Sequence, residues 1–191
     1  MIRESDAREG CGASAKILAV AGTLFRQHGF DGAGVDDIMK GAGLTHGGFY
    51  GHFDSKDDLI AETTSRVLGD QGWIRGRTGA GTPSLEDLMQ RYLSRGHRDD
   101  AAHGCLIAAL GSEVVRQPRS VRRAFTEGLR LRVETLRRLL PGRSEANREK
   151  ALATMAGLVG ALMLARAVDD PKLSDEILAA ATMTLGGAKQ G

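Results

Sequence analysis

The sequence is poor in cysteine, proline and aromatic side chains: two Cys, four Pro, five Phe, two Tyr and one Trp in 191 residues. Two cysteines as far apart as Cys11 and Cys105 can build neither a disulfide framework nor a four-thiolate metal site. With so few rings, the core has to be assembled from Leu, Ala, Val, Ile and Met. No run of residues alternates apolar and polar between hairpin turns, which excludes a β-sheet protein, and no internal repeat points to a solenoid. The start, Met1 to Gly12, is mostly polar and has no signal-peptide pattern, so a cytoplasmic protein is expected. GxSxG, P-loop, CxxC and HExxH motifs are all missing, so the reading is a protein that is not an enzyme and needs no cofactor.

What is present is glycine, 26 residues of it, and a mixed charge of +2 overall. Residues 1 to 66 hold seven Lys/Arg against ten Asp/Glu, a balance of −3, and the remainder carries +5. Any nucleic-acid grip by the first third must therefore rest on a few placed cations and helix N-termini rather than on a basic arm.

Apolar residues recur at helical spacing throughout. Ile17, Ala21, Leu24, Phe25 and His28 line one face of a helix from Ser14 that Gly29 should stop. Val35, Ile38, Met39 and Ala42 mark a short second helix ending at Gly43, after which Thr45 can cap a third with Phe49, Tyr50 and Phe53. Asp54 or Ser55 can cap a fourth, with Asp57 and Asp58 in its first turn and Leu59, Ile60, Thr63 and Val67 facing inward, ending around Gly69 to Trp73. Gly72 to Pro83 reads as a loop and as the boundary beyond which the remaining helices form a second unit. There Leu85, Leu88, Met89, Tyr92 and Leu93 share a stripe, Cys105 to Arg116 forms a helix, and a longer one runs from about Ser120 to Leu140, stopped by Pro141-Gly142. Ala151 to Val168 is apolar on nearly every side. It is too rich in Ala and Gly to read as a membrane span, and a helix buried on all sides is expected instead.

The informative stretch is VDDIMKGAGLTHGGFYGHFDSKDDL, Val35 to Leu59. A helix-turn-helix needs apolar contacts that fix the crossing of two short helices, a glycine turn, and an exposed second helix whose first turn reaches base edges. Ile38, Leu44, Phe49 and Phe53 supply the contacts and Gly43 the turn. Thr45 and His46 can address bases, Gly47 and Gly48 let the backbone approach the groove, and Tyr50, His52 and Lys56 suit phosphates.

This segment closely resembles the helix-turn-helix of the tetracycline-repressor (TetR) family, whose pattern ends in aromatic-Tyr-x-His/Tyr-Phe followed by Ser-Lys-Asp/Glu-x-x-Leu; the likeness spans roughly Ser14 to Leu68. The resemblance implies an all-α protein: a three-helix DNA-binding domain over 1–54 and a helical ligand-binding and dimerisation domain over 55–191, with helix four, about 55–72, as connector. It also implies Thr45 to Gly48 at base edges, Tyr50 and His52 at the DNA backbone, Lys56 at a phosphate, and pairing through the last two helices. One departure is Gly34, where a Thr or Ser usually caps the second helix and offers a hydroxyl to a phosphate.

The expected function is a regulator, a repressor by family habit, that binds a palindromic double-stranded DNA operator as a homodimer and is released by a small molecule or electrophile. Dimerisation is assigned to residues 151–185, where Ala156, Gly157, Gly160 and Ala161 allow a close helix approach. A regulatory pocket is placed near Trp73, Met89, Tyr92, Cys105 and Met155. Cys105 is open to two readings: inert packing, or a sensor thiol at a helix start, which favours the thiolate. His97, His103 and Cys105 lack the paired spacing of metal ligands, and no metal is expected. The rival reading is a helical interaction module that binds no DNA, which the acidic first third favours.

Overall fold

The computed structural model describes residues 4–70, 72–75, 83–141 and 146–186, and every regular element among them is a helix. Helix α1, Glu4–Gly32, buries Ile17, Leu18, Ala21 and Phe25 along one face. Its regular part ends where the sequence predicts. At Gly29 the backbone leaves helical geometry (φ 80°, ψ 170°), and Phe30 turns back to pack edge-on against Phe25, ring centroids 5.4 Å apart. Each such buried ring or aliphatic side chain is worth about 1.5–3 kcal/mol relative to exposure.

Helix α2, Val35–Gly41, starts at Gly34 without a side-chain cap and carries Asp36 and Asp37 in its first turn and Lys40 in its last, both favoured by the helix dipole. It ends in a Schellman motif: Gly43, at φ 73°, donates to the Lys40 carbonyl at 3.0 Å, and Leu44 donates to that of Met39 at 2.9 Å. The next helix differs from expectation. His46–Gly51 is a 3₁₀ helix, and Thr45, in extended conformation at its start, makes no side-chain cap bond. Three glycines in six residues lower the helix propensity enough that only the tighter turn, anchored by buried Phe49 stacked on Phe53, is left. Helix α3, Lys56–Gly69, is capped by Ser55, whose hydroxyl accepts the Asp58 N–H at 3.1 Å, and it buries Leu59, Ile60, Thr63, Thr64 and Leu68. It packs along α8 and against α1.

The expected loop after α3 holds a short helical turn instead, α4, Gly72–Arg75; residues 76–82 lie outside the described residues. Helix α5, Leu85–Tyr92, opens with a capping box between Ser84 and Asp87 and buries Leu88, Met89 and Tyr92. Then come α6, Arg95–Asp99, α7, Leu106–Val114, and the amphipathic α8, Arg119–Leu139, whose buried positions Val121, Gly128, Arg132 and Leu136 keep one face. Helices α9, Ala146–Ala167, and α10, Pro171–Gly186, pack on each other, and α9 also packs on α8.

Helix α9 is not buried on all sides within one chain. It has a buried face at Ala151, Met155, Leu158, Leu162 and Ala165, and an exposed one that shows Leu152, Met163 and Leu164. An Ala/Gly-rich helix carries no polar side chains to mark its outer face, so the sequence does not show which side one chain leaves exposed. The same helix is long and apolar enough to cross a membrane by composition, but here it is a packed element of the bundle.

Candidate nucleic-acid interface and the Cys105 cluster

The 3₁₀ helix presents its backbone and side chains outward: Thr45, His46, Gly47, Gly48 and Gly51 are exposed, and Tyr50 is 69% exposed. Phe49, one residue before Tyr50, holds the turn from beneath and packs edge-on against the Tyr50 ring at 5.2 Å. His46 makes contact through Nδ1 with the Asp36 carboxylate of α2, which orients the exposed imidazole and leaves Nε2 out of that contact. His52 is half-buried, with Nδ1 3.1 Å from the Ser14 hydroxyl of α1. Lys56 reaches back to the Asp31 carbonyl at 3.5 Å and stands among Asp54, Asp57 and Asp58. Of the seven residues expected at DNA, all lie on one stretch at the outer end of the N-terminal helices. Asp36 is the member that sequence reasoning missed.

The residues expected at a regulatory pocket divide. Met89 and Met155 are buried core residues, and Met89 packs toward Gly186 of α10. Trp73, Tyr92 and Cys105 instead converge on a group of arginines that the sequence does not announce. The Arg132 guanidinium stacks over the Trp73 ring at 4.7 Å and donates through Nη2 to the Val67 carbonyl, near the C-terminus of α3, at 2.8 Å. Arg166 of α9 donates to the carbonyls of His97 (2.6 Å) and Arg98 (3.0 Å). Arg26 of α1 donates to the Ala102 carbonyl at 2.6 Å. Burial pushes all three guanidiniums below the ordinary arginine value, against the opposing pull of the Cys105 sulfur.

His97 orders this cluster. Its Nδ1 stands 2.6 Å from the Tyr92 carbonyl, which can only accept, so that nitrogen carries the proton; Nε2 then accepts the Cys105 N–H at 3.0 Å. The ring also packs edge-on against that of Tyr92, centroids 4.8 Å apart. Burial holds His97 below the usual imidazole range. Cys105, half-buried, occupies the cap position of α7, and the adjacent Tyr92 hydroxyl is buried with no hydrogen-bond partner. Burial raises the Tyr92 phenol well above its ordinary value, so it is a neutral donor. His97, His103 and Cys105 do not gather into a metal-binding group among the described residues.

Residues 17–63, from the buried face of α1 through the exposed turn to Thr63 of α3, match the family of bacterial regulatory proteins named tetR. Over these residues the chain is similar to the TetR family. Its relatives include the HTH-type transcriptional repressor KstR2 of Rhodococcus jostii, 31% identical over half of this chain and 47% of that protein. Another is the HTH-type transcriptional repressor NemR of Escherichia coli, 26% identical over 81% of this chain and 75% of that one. The chain thus matches less than half the length of the first of these relatives. The fold agrees across both halves: the crystal structure of reduced NemR from E. coli superposes with a TM-score of 0.71 at 22% identity, covering 92% of this chain and 96% of that one. The TetR-type arrangement, an N-terminal helix-turn-helix with a C-terminal helical domain, is therefore the fold of this chain.

Proposed function

We propose that this chain is a transcriptional repressor that binds a palindromic DNA operator as a homodimer and is released when a small molecule or electrophile reaches the cluster around Cys105. The observation that carries the reading is the exposed turn Thr45 to Gly48, side-chain-poor at Gly47 and Gly48, with Tyr50 beside it and Phe49 fixing it from below. A backbone so bare can enter a major groove, while Thr45 and the exposed His46 ring offer hydrogen bonds to base edges. Tyr50, His52 and Lys56 then serve the phosphates, and residues 1–54 act as the DNA-binding unit of a chain whose remainder senses and pairs.

Pairing is supported by the exposed apolar side chains of α9 and α10: Leu152, Met163, Leu164, Leu173 and Met183. Two-fold association of those helices buries them twice over and sets two reading turns on one palindrome. Release is supported by the links between the Cys105 cluster and the DNA-binding end, through Arg26 to α1 and through Arg132 to α3. An effector acts only if it binds the operator-incompetent arrangement better than the competent one.

A mobility-shift titration with genomic fragments across salt concentrations tests the first part. Binding with a steep salt slope supports it, and no shift even at low salt returns the chain to a protein-interaction module. Release by a quinone, to which a thiol adds by forming a carbon–sulfur bond and passing its proton to the ring oxygen, tests Cys105. Release in wild type and not in Cys105→Ser makes it a sensor, and equal release in both makes it packing.

A further inference from the structure

Arg26, Arg132 and Arg166 come from three different helices, yet all meet main-chain carbonyls and none meets a carboxylate among the described residues. Arg132 is only 6% exposed, and its Nε has no partner. Tyr92 is also 6% exposed, and its hydroxyl has none either; Arg166 leaves Nη1 unpaired. The carboxylates that act on them, Asp70 on Arg132 and Asp99 and Asp100 on Arg166, are all at the surface. A buried guanidinium without an anion, next to a buried hydroxyl without a partner, is costly unless something supplies acceptors.

We propose that Arg132, Arg166 and Tyr92 form, beside Cys105, the recognition site for a small organic carboxylate, whose oxygens take the unpartnered Nε, Nη1 and hydroxyl protons. The proposal rests on the ligand-responsive reading above and names its ligand class. A carboxylate fits better than a phosphate because one negative charge costs less to strip of water than two, and the guanidinium fork matches it in geometry. Trp73 and the ring face of Tyr92 suit an apolar body attached to that carboxylate. Occupancy is coupled to the DNA-binding end through Arg132, whose Nη2 holds a carbonyl of α3 while its Nε meets the carboxylate.

Trp73 is the only tryptophan of the chain, and it faces Arg132, so its fluorescence reports this site alone. The full-length protein is titrated with acetate, hexanoate and benzoate and, in parallel, with acetamide, hexanamide and benzamide. At least one carboxylate should give a saturable Trp73 signal at a concentration tenfold or more below its own amide. Tyr92→Phe, which removes only the hydroxyl and keeps the ring that packs on His97, should weaken that binding several-fold. Arg132→Gln should weaken it tenfold or more, and Arg132→Lys should recover part of the loss. Amides that bind as well as acids, no carboxylate response at all, or wild-type affinity in Tyr92→Phe would overturn the site. Operator release is measured separately. A carboxylate that binds at Trp73 but leaves the DNA complex intact upholds the site and refutes ligand response. Release by a neutral compound alone does the reverse.

Discussion

The carboxylate of Glu113, in α7, accepts the backbone N–H of Phe30 at 2.9 Å, directly against Gly29, where the first helix breaks. A Cβ built at Gly29 meets the Glu113 carboxylate oxygens at 2.9 and 3.0 Å, and the glycine stands at φ 80°, a conformation other residues avoid. One acidic side chain of α7 thus fixes the end of the first helix.

Replacing Glu113 by Ala should cost about 1–3 kcal/mol in denaturant unfolding, since it strips a buried N–H of a charge-assisted acceptor. Gly29→Ala should cost about 1–3 kcal/mol through backbone strain. The two residues touch, so the double variant should lose less than the sum of the singles. Strict additivity in a double-mutant cycle would show that the contact is not formed in solution.

His97 predicts an acid limb to stability. Its folded pKa lies below the ordinary imidazole value, from burial first and then from the charges of Arg166 and Arg91, against the Tyr92 carbonyl and Asp100, which act the other way. The unfolded chain therefore binds the proton more readily. The contribution is fully present above about 6.5 and is lost as pH falls from there through the lowered folded value. Protonation also removes the lone pair that accepts the Cys105 N–H. His97→Gln, whose amide can donate to Tyr92 and accept from Cys105, should flatten the dependence in melts from pH 7.5 to 5. An unchanged slope would assign the acid limb to other groups.

At the reading surface, three substitutions should separate by kind. Lys56→Ala should weaken operator and random DNA about equally and reduce the salt slope by about one. Tyr50→Ala should weaken both without relaxing selectivity. His46→Ala should narrow the gap between operator and mutated operator by about 1–3 kcal/mol at the affected base pair. Asp36→Asn, which weakens the contact that orients the His46 ring, should act in the same direction but less. Full selectivity in His46→Ala would remove the 3₁₀ turn from the role of reader.

The N-terminal half was legible because its signals are local. Gly43 announces the turn, Ser55 the cap, and the Phe49-Phe53 spacing the packed side, and each is found in its place. The 3₁₀ form of the reading helix was not legible, although its cause, Gly47, Gly48 and Gly51, stood in the sequence. The Cys105 cluster was half legible. Trp73 and Tyr92 stood out as scarce aromatics, but Arg132 looks like any other cation of a helix with seven arginines over Arg119–Leu139. Only three-dimensional packing turns that one inward. Arg166 carried a faint signal as the single charge in an apolar run, and it does face the cluster.

Pairing through α9 and α10 is tested where side chains are exposed, so that the monomer's own fold is spared. Leu164, 51% exposed, and Gly160, with open space around its Cβ direction, both lie on α9. Leu164→Glu and Gly160→Glu should each give folded monomers in sedimentation, with operator affinity reduced by tenfold or more because only one half-site is held. A dimer of wild-type stability in both would move the interface to another face.

The final prediction concerns Gly128, where α8 crosses α3. A Cβ at this position would fall into the Leu68 side chain, with Cγ at 3.0 Å and Cδ1 at 2.7 Å, so the two helices approach as closely as they do only because α8 has no side chain there. Helix propensity alone would make Gly128→Ala favourable by about 1 kcal/mol. The clash should outweigh that gain, because Leu68 is buried and overpacking in a dense core costs about 1–3 kcal/mol. Leu68→Ala should cost about 2–5 kcal/mol by leaving a cavity. The pair Leu68→Ala with Gly128→Ala should recover part of both losses, since the methyl added on α8 fills space vacated on α3. Operator affinity should follow the same order, because α3 joins the reading turn to α8 and any shift of one helix along the other moves the DNA-binding end. Stability in Gly128→Ala equal to or above wild type would mean that the α3–α8 crossing is looser than the structure describes.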